Sequence, residues 1–168
     1  SWEEKIIGVD HSGIFFLYDE GIYSRLQIEL DNNRSEFELF IQGTAGERSS
    51  QLSFRFFDWI AAKHNQDLRL YASYLFWNVQ DECVQNKVSY IELTAPIDEY
   101  TQTKSMLTTD WITLFSSSPC LQLQINGRGL SNRTGGRMAL HENGTLYLTV
   151  GDFRYDGYNR PQNYPQDK

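Results

Sequence analysis

The stretch Asn132-Arg-Thr-Gly-Gly-Arg-Met-Ala-Leu-His-Glu-Asn-Gly-Thr-Leu-Tyr-Leu-Thr-Val-Gly-Asp152 contains the clearest structural signal in the chain. Its apolar segment Arg137–Leu140 and its alternating segment Thr145–Val150 predict two strands, the second with one buried face. Asn143-Gly144 predicts a type I′ turn between them, because both central residues of that turn need positive φ. We therefore predict a β-hairpin here.

Other short strand-like segments are separated by turns throughout the chain, and this spacing predicts an all-β fold. Aromatic residues, which favour sheets, make up 14% of the 168 residues. No segment shows convincing amphipathic helical periodicity, although Gln51–Lys63 fits a strand or a short helix, and we favour the strand. The predicted strands are Lys5–Val9, Ile14–Tyr18, Tyr23–Leu30, Phe37–Ile41, Gln51–Lys63, Leu68–Phe76, Lys87–Leu93 and Asp110–Phe115.

Charge and hydropathy disfavour two classes of partner. The formal net charge is −7 and the pI is about 4.9. Nucleic-acid binding normally requires a basic face, so we expect no nucleic-acid partner. No apolar run reaches the length of a membrane span, so we also expect no membrane-spanning segment.

Cys83 and Cys120 are the two cysteines of the chain, and their spacing matches neither a zinc site nor a Cys-x-x-Cys redox motif. They are compatible with one disulfide in an oxidising compartment or with two separate buried thiols. Three Asn-x-Ser/Thr sequons, at Asn33, Asn132 and Asn143, arise often enough by chance to say little about the host. The predicted loop Asn78–Asn86 contains Cys83.

The stretch Gly135–Asp152 resembles the soluble pyrroloquinoline-quinone-dependent aldose dehydrogenases, the glucose/sorbosone dehydrogenase family. The family pattern is a Gly-Arg pair, an apolar strand, an Asp-Gly or Asn-Gly turn, and then Leu-Tyr-aliphatic-Thr-x-Gly-Asp. Weaker similarity extends to Ile6–Tyr18, Asp67–Tyr74 and Lys87–Leu93, and Pro165–Asp167 resembles a later loop of the family. The resemblance covers most of the chain and implies part of a six-bladed β-propeller.

A six-bladed propeller needs about forty residues or more per blade, so this chain is too short to close one. We expect a fragment whose exposed edges are covered by the remaining blades or by a second copy of the chain. An independent open β-domain is the alternative. The resemblance implies one partial propeller domain made of a first blade (1–43), a second blade (51–120), a long loop plus the hairpin of the next blade (121–152) and an extended loop or tail (153–168).

The family's catalytic site lies at the two ends of this hairpin. Its general base is a His shortly before the Gly-Arg pair, and the Asp of the Gly-Asp ending orients that His. Here Asp152 matches the orienting Asp, but Arg133 stands at the position of the base. Arginine stays protonated in proteins and cannot accept the substrate proton, so an Arg133–Asp152 ion pair is expected instead. Gln51 lies near the family position of a Gln that contacts substrate or cofactor. Arg137 belongs to a local cluster of arginines, which could bind an anionic ligand such as the quinone carboxylates or form ion pairs with neighbouring acids. The cluster consists of Arg128, Arg133, Arg137 and Arg154.

The resemblance implies pyrroloquinoline quinone and calcium as cofactors, held largely by later blades and not by this chain alone. It implies a periplasmic or secreted protein that oxidises a sugar or related alcohol when complete. The replacement at Arg133 favours the alternative, a non-catalytic propeller that binds a carbohydrate or a protein partner. His141 is expected in an exposed turn, while Trp77 and Trp111 are expected in the core and not as sugar-stacking platforms.

Overall fold

The computed structural model of the chain describes residues 6–9, 15–19, 22–28, 30–45, 56–65, 67–93, 105–106, 110–118, 120–122 and 135–151. Within these ranges the chain forms eleven strands and the helix α1 (Arg34–Ala45). The strands are β1 (Ile6–Val9), β2 (Phe15–Asp19), β3 (Ile22–Ile28), β4 (Phe56–His64), β5 (Asp67–Asn78), β6 (Cys83–Leu93), β7 (Ser105–Met106), β8 (Ile112–Ser116), β9 (Leu121–Gln122), β10 (Gly135–Leu140) and β11 (Leu146–Val150).

The described strands form three sheets. One has the order β1-β2-β3-β7, with antiparallel pairs except for the parallel pair β3–β7. The second has the order β4-β5-β6-β8, and β9 also pairs with β6, antiparallel. The third is the antiparallel hairpin β10–β11. The described residues are therefore mostly antiparallel sheet, as expected for an all-β protein, with one helix added.

The predicted strand Phe37–Ile41 is wrong, because these residues lie in α1. The segment begins as a helix does. Asn32 Oδ1 accepts a hydrogen bond from the Arg34 amide at 3.1 Å, and the Asn33 carbonyl accepts the first helical bond, from Phe37 N. Glu36 lies in the first turn, where a negative charge is favourable.

The helix is fixed by one buried side of its first turns. Phe37 is 3% exposed, and its ring meets the Trp77 ring edge-on with 5.3 Å between centroids. Phe40, one turn later, lies 4.8 Å from the same indole. Residues three positions apart lie on the same face of a helix but on opposite faces of a strand. Because Phe37 and Phe40 both pack on Trp77, this packing favours the helix.

The chain divides into two compact units. In the unit formed by residues 1–31, 59–72 and 88–114, the described core comes from alternate positions of β5, from β6 and from the segment before β8. Its buried apolar side chains are Leu68, Leu70, Ala72, Val88, Ile91, Leu93 and Trp111. Burial of a side chain such as Leu70 contributes about 1.5–3 kcal/mol before entropy losses.

The unit formed by residues 32–58, 73–87 and 115–168 has a more polar core. Tyr74 and Trp77 are fully buried, but so is Asn86. The Asn86 amide donates to the Ser117 hydroxyl at 2.9 Å, and the Ser117 amide donates to the Asn86 carbonyl at 2.8 Å. The Ser73 hydroxyl reaches Asn86 Oδ1 at 3.3 Å. These bonds satisfy polar groups that would be costly to bury alone.

Cys83 and Cys120 form a disulfide, with 5.6 Å between their Cα atoms. The alternative of two separate thiols is thus excluded. Cys83 is the first residue of β6, so the predicted loop Asn78–Asn86 is too long: the turn occupies residues 79–82 only. The disulfide is compatible with an oxidising, extracellular location. None of the described helical residues forms a helix long and apolar enough to cross a membrane.

Candidate functional site

The β10–β11 hairpin is the part of the predicted site that the structure describes. Its register pairs Met138 with Leu148 and Leu140 with Leu146. These four side chains are half-buried, whereas Tyr147 is 58% exposed. The predicted alternation is confirmed, but the apolar face is only partly shielded among the described residues.

The turn of this hairpin differs from the predicted type I′. Gly144 has φ +86°, but Asn143 has no positive φ. The Gly144 amide donates to the His141 carbonyl, and the His141 amide donates to the Thr145 carbonyl, both at 2.9 Å. This is a three-residue loop with a type I turn followed by a left-handed glycine. His141 is exposed at the turn, as predicted.

Two glycines form a bulge at the start of the hairpin. Gly135 and Gly136 have φ of +72° and +94°, and the register shifts between Gly135 and Met138. A Cβ on Gly135 would lie 2.6 Å from the Thr149 carbonyl oxygen, and one on Gly136 would lie 2.5 Å from Phe57 Cβ. Both positions therefore require glycine, and the Gly-Gly-Arg sequence has a structural reason beside any functional one.

Asp58 of β4 binds the residues of this bulge. Its Oδ2 accepts a hydrogen bond from the Met138 amide at 2.8 Å and lies 3.5 Å from Arg137 Nε. The Asp58 side chain is 14% exposed, while that of Arg137 is 79% exposed. The Arg137 amide donates in turn to the Thr149 hydroxyl at 3.0 Å. A carboxylate thus satisfies a backbone donor that the bulge turns away from β11.

Asp58 is not among the predicted site residues, although the sequence around it carries a signal. It is the one charged residue within the apolar run Phe56–Ile60. A charge in such a run must be paired or hydrogen-bonded if the strand is buried. Arg137 forms one of the ion pairs that were the alternative interpretation of the arginine cluster, although its partner Asp58 is distant in sequence.

Three of the four predicted site residues lie outside the described residues. Asp152 directly follows Gly151, the last described residue of the hairpin, while Arg133 precedes its first strand and Gln51 precedes β4. The expected Arg133–Asp152 ion pair and the role of Gln51 stay predictions. Arg137 is the one predicted site residue with described surroundings.

Arg137 by itself does not fit the quinone. Pyrroloquinoline quinone carries several carboxylates, and Asp58 beside the guanidinium would oppose their binding. We therefore derive no catalytic step through the cofactor. Among the described side chains there is also no group of three His, Cys, Asp or Glu residues that could hold a metal ion.

The two candidate sugar platforms are core residues. Trp77 is 1% exposed and Trp111 is 7% exposed, so neither indole offers a face to a ligand, as expected from their strand context. Comparison with known proteins gives no match: no family model, no curated protein and no solved structure aligns significantly with the chain.

Proposed function

We propose that the chain is part of a β-propeller of the quinoprotein dehydrogenase type, which in the complete protein oxidises a sugar or a related alcohol with pyrroloquinoline quinone and calcium. The observation that carries the proposal is the hairpin that ends at Gly151, directly before Asp152. Its Gly-Gly-Arg start and Leu-Tyr-Leu-Thr-Val strand match the family pattern over a continuous segment.

The second sheet gives independent support at the level of architecture. The strands β4, β5, β6 and β8 are neighbours in this order. A propeller blade is a four-stranded antiparallel sheet, and this sheet, with β9 as a fifth strand, is compatible with such a blade. The proposed propeller would need the remaining blades, or a second copy of the chain, as partners. The disulfide is compatible with a periplasmic or secreted protein.

In the proposed enzyme, Asp152 would orient the group that receives the substrate hydroxyl proton. Arg133 cannot be that group, because a guanidinium remains protonated. Arg133 would instead neutralise Asp152. Turnover would then require a base from elsewhere in the complete protein.

The second candidate function is a non-catalytic propeller that binds a carbohydrate or a protein. Two arginines, Arg133 and Arg137, favour it. Arg133 replaces the expected base, and Arg137 is paired with Asp58 at 3.5 Å. Both features would leave the propeller fold intact while removing a proton acceptor and a cation that could bind the quinone.

The test uses the complete protein, incubated with pyrroloquinoline quinone and calcium, and follows dye reduction with a panel of aldoses. Turnover by the wild type that falls strongly in Asp152→Asn supports the enzyme. Turnover that appears only in Arg133→His would show that the natural protein lacks the general base but keeps the rest of the site. Arg128→His is the control, because it adds an imidazole elsewhere in the same predicted loop.

Calorimetric titration with the same aldoses distinguishes the candidates further. Sugar binding without turnover in any variant supports the non-catalytic binding protein. If neither quinone nor sugar binds and no variant turns over, the quinoprotein proposal is wrong.

A further inference from the structure

We propose that Asn143 is an N-glycosylation acceptor, modified by an oligosaccharyltransferase in the compartment where the Cys83–Cys120 disulfide forms. Asn143-Gly144-Thr145 is a sequon with threonine at the third position and no proline. A sequon alone is weak evidence. The structure supplies two observations that separate this sequon from the one at Asn33.

The first observation is position. Asn143 lies in the three-residue loop of the β10–β11 hairpin, and every residue from His141 to Thr145 is exposed. Among the residues that the structure describes, and apart from the chain neighbours of Gly144, no atom lies within 4 Å of the place where a Cβ on this glycine would be, so the loop is open on that side. A large glycan there would extend into solvent without displacing core residues.

The second observation is the geometry of the acceptor amide. Asn143 Oδ1 accepts a hydrogen bond from the Thr145 amide at 3.0 Å, which is an Asx turn within the sequon. This bond polarises the side-chain amide. Because the amide group is planar, Nδ2 lies on the other side of Cγ from the bond. The hydrogen bond of the turn therefore engages the amide oxygen and not Nδ2, which is the nucleophile.

The chemistry is a glycosyl transfer that balances without a redox partner. Asn143 Nδ2 attacks C1 of the first sugar of a lipid-diphosphate-linked oligosaccharide and forms a C–N bond. The bond between C1 and the phosphate oxygen breaks, and the lipid diphosphate leaves with the electron pair. One amide proton passes to a base of the transferase.

Asn33 provides an internal contrast, because its sequon lies in a different environment. Asn33 is half-buried before α1, and its Nδ2 donates to the Trp77 carbonyl at 2.9 Å. A glycan on that nitrogen would have to leave beside the buried Trp77. The fold therefore accepts a glycan at Asn143 and opposes one at Asn33. The third sequon, at Asn132, lies outside the described residues.

The experiment secretes the full chain from eukaryotic cells and maps glycopeptides after trypsin digestion. Cleavage after arginine separates the sequons: Met138–Arg154 contains Asn143, and Leu26–Arg34 contains Asn33. The intact glycopeptide is measured, since spontaneous deamidation of an Asn-Gly pair would imitate the aspartate left by an amidase. We expect a glycan on Met138–Arg154 and none on Leu26–Arg34.

Two variants exclude misfolding as the cause of a loss. Asn143→Asp keeps an oxygen for the Thr145 amide, and Thr145→Val keeps a β-branched residue; each should abolish the glycan while secretion continues. Asn33→Gln should leave it unchanged. An unmodified Met138–Arg154 peptide in a wild-type preparation that contains the disulfide would overturn the proposal, because that chain has passed through the oxidising compartment.

Discussion

The hairpins β5–β6 and β10–β11 have similar sequence patterns but different means of stabilisation. In β5 and β6 most side chains are buried, including fully buried residues such as Tyr74 and Trp77. In β10–β11, Gly136 is the only buried residue among the described positions. Backbone geometry and the Asp58 carboxylate hold the second hairpin at its bulge. Hydrophobic alternation therefore identifies both as strands but does not predict how deeply either is buried.

Truncating an aromatic residue in each hairpin gives the largest contrast. Trp77→Ala removes the indole that contacts Phe37 and Phe40, so we expect a loss of about 3–5 kcal/mol in the free energy of unfolding. Tyr147→Ala, at a residue that is 58% exposed, should cost about 0.5 kcal/mol. Urea denaturation followed by near-UV circular dichroism measures both. Equal losses would show that the two hairpins are buried alike.

Removing the disulfide tests whether β6 also depends on a covalent constraint. Cys83 and Cys120 are 37 residues apart, and the Cys83→Ser/Cys120→Ser variant should lose about 2–4 kcal/mol through greater freedom of the unfolded chain. A reducing agent should lower the denaturation midpoint of the wild type to that of the variant. The midpoint of the variant itself should not move. An unchanged wild-type midpoint after complete reduction would contradict the prediction.

Some of the fold could be predicted because the signals were local. The strand Leu68–Phe76, which lies within β5, and the hairpin at residues 135–151 follow from strand patterns bounded by turn residues. The helix α1 was missed because Phe37–Ile41 was interpreted as a strand. Asn33 followed by Glu36, and Phe37 followed by Phe40, is a helix-start signal with helical spacing that the strand interpretation overlooked.

The candidate site was harder to predict because its described contacts join residues far apart in sequence. Asp58 and Met138 are 80 positions apart, and no local pattern brings them together. The type of turn at Asn143-Gly144 was also missed, since an Asn-Gly pair suits both the type I′ turn and the longer loop that the structure shows. Backbone hydrogen bonds decide between these turns, and composition does not.

The bulge glycine tests the claim that backbone geometry holds the second hairpin. Gly136→Ala should cost about 1–3 kcal/mol because of its positive φ, with a further penalty from the contact with Phe57. Gly144→Ala is the matched control: its φ is also positive, but it has open space, so about 1 kcal/mol is expected. Hydrogen exchange of the β10–β11 amides should accelerate more in Gly136→Ala. Faster exchange in Gly144→Ala than in Gly136→Ala would show that the bulge does not hold the hairpin in place.

The smallest expected effects are the coupling energies of two ion pairs, one involving each hairpin. In β5–β6, Arg69 Nε lies 2.7 Å from Glu92 Oε1, with side chains 24% and 34% exposed, and the guanidinium lies 4.7 Å from the centre of the Tyr90 ring. The Glu92 hydrogen bond raises the pKa of Arg69 above its ordinary value. That contribution is complete below the ordinary pKa of arginine and is lost only above it, so Arg69 gives no pH dependence near neutrality.

Double-mutant cycles measure the two couplings directly. Arg69→Met with Glu92→Gln should give about 0.5–1 kcal/mol, and Arg137→Met with Asp58→Asn about 0.2 kcal/mol for the side-chain pair. The Arg137–Asp58 coupling should be small because the guanidinium is 79% exposed and the separation is 3.5 Å. It should also weaken more with added salt, since exposed charges are screened more strongly. A larger coupling at Asp58 would mean that Arg137 itself, and not only the Met138 amide, anchors the bulge to β4.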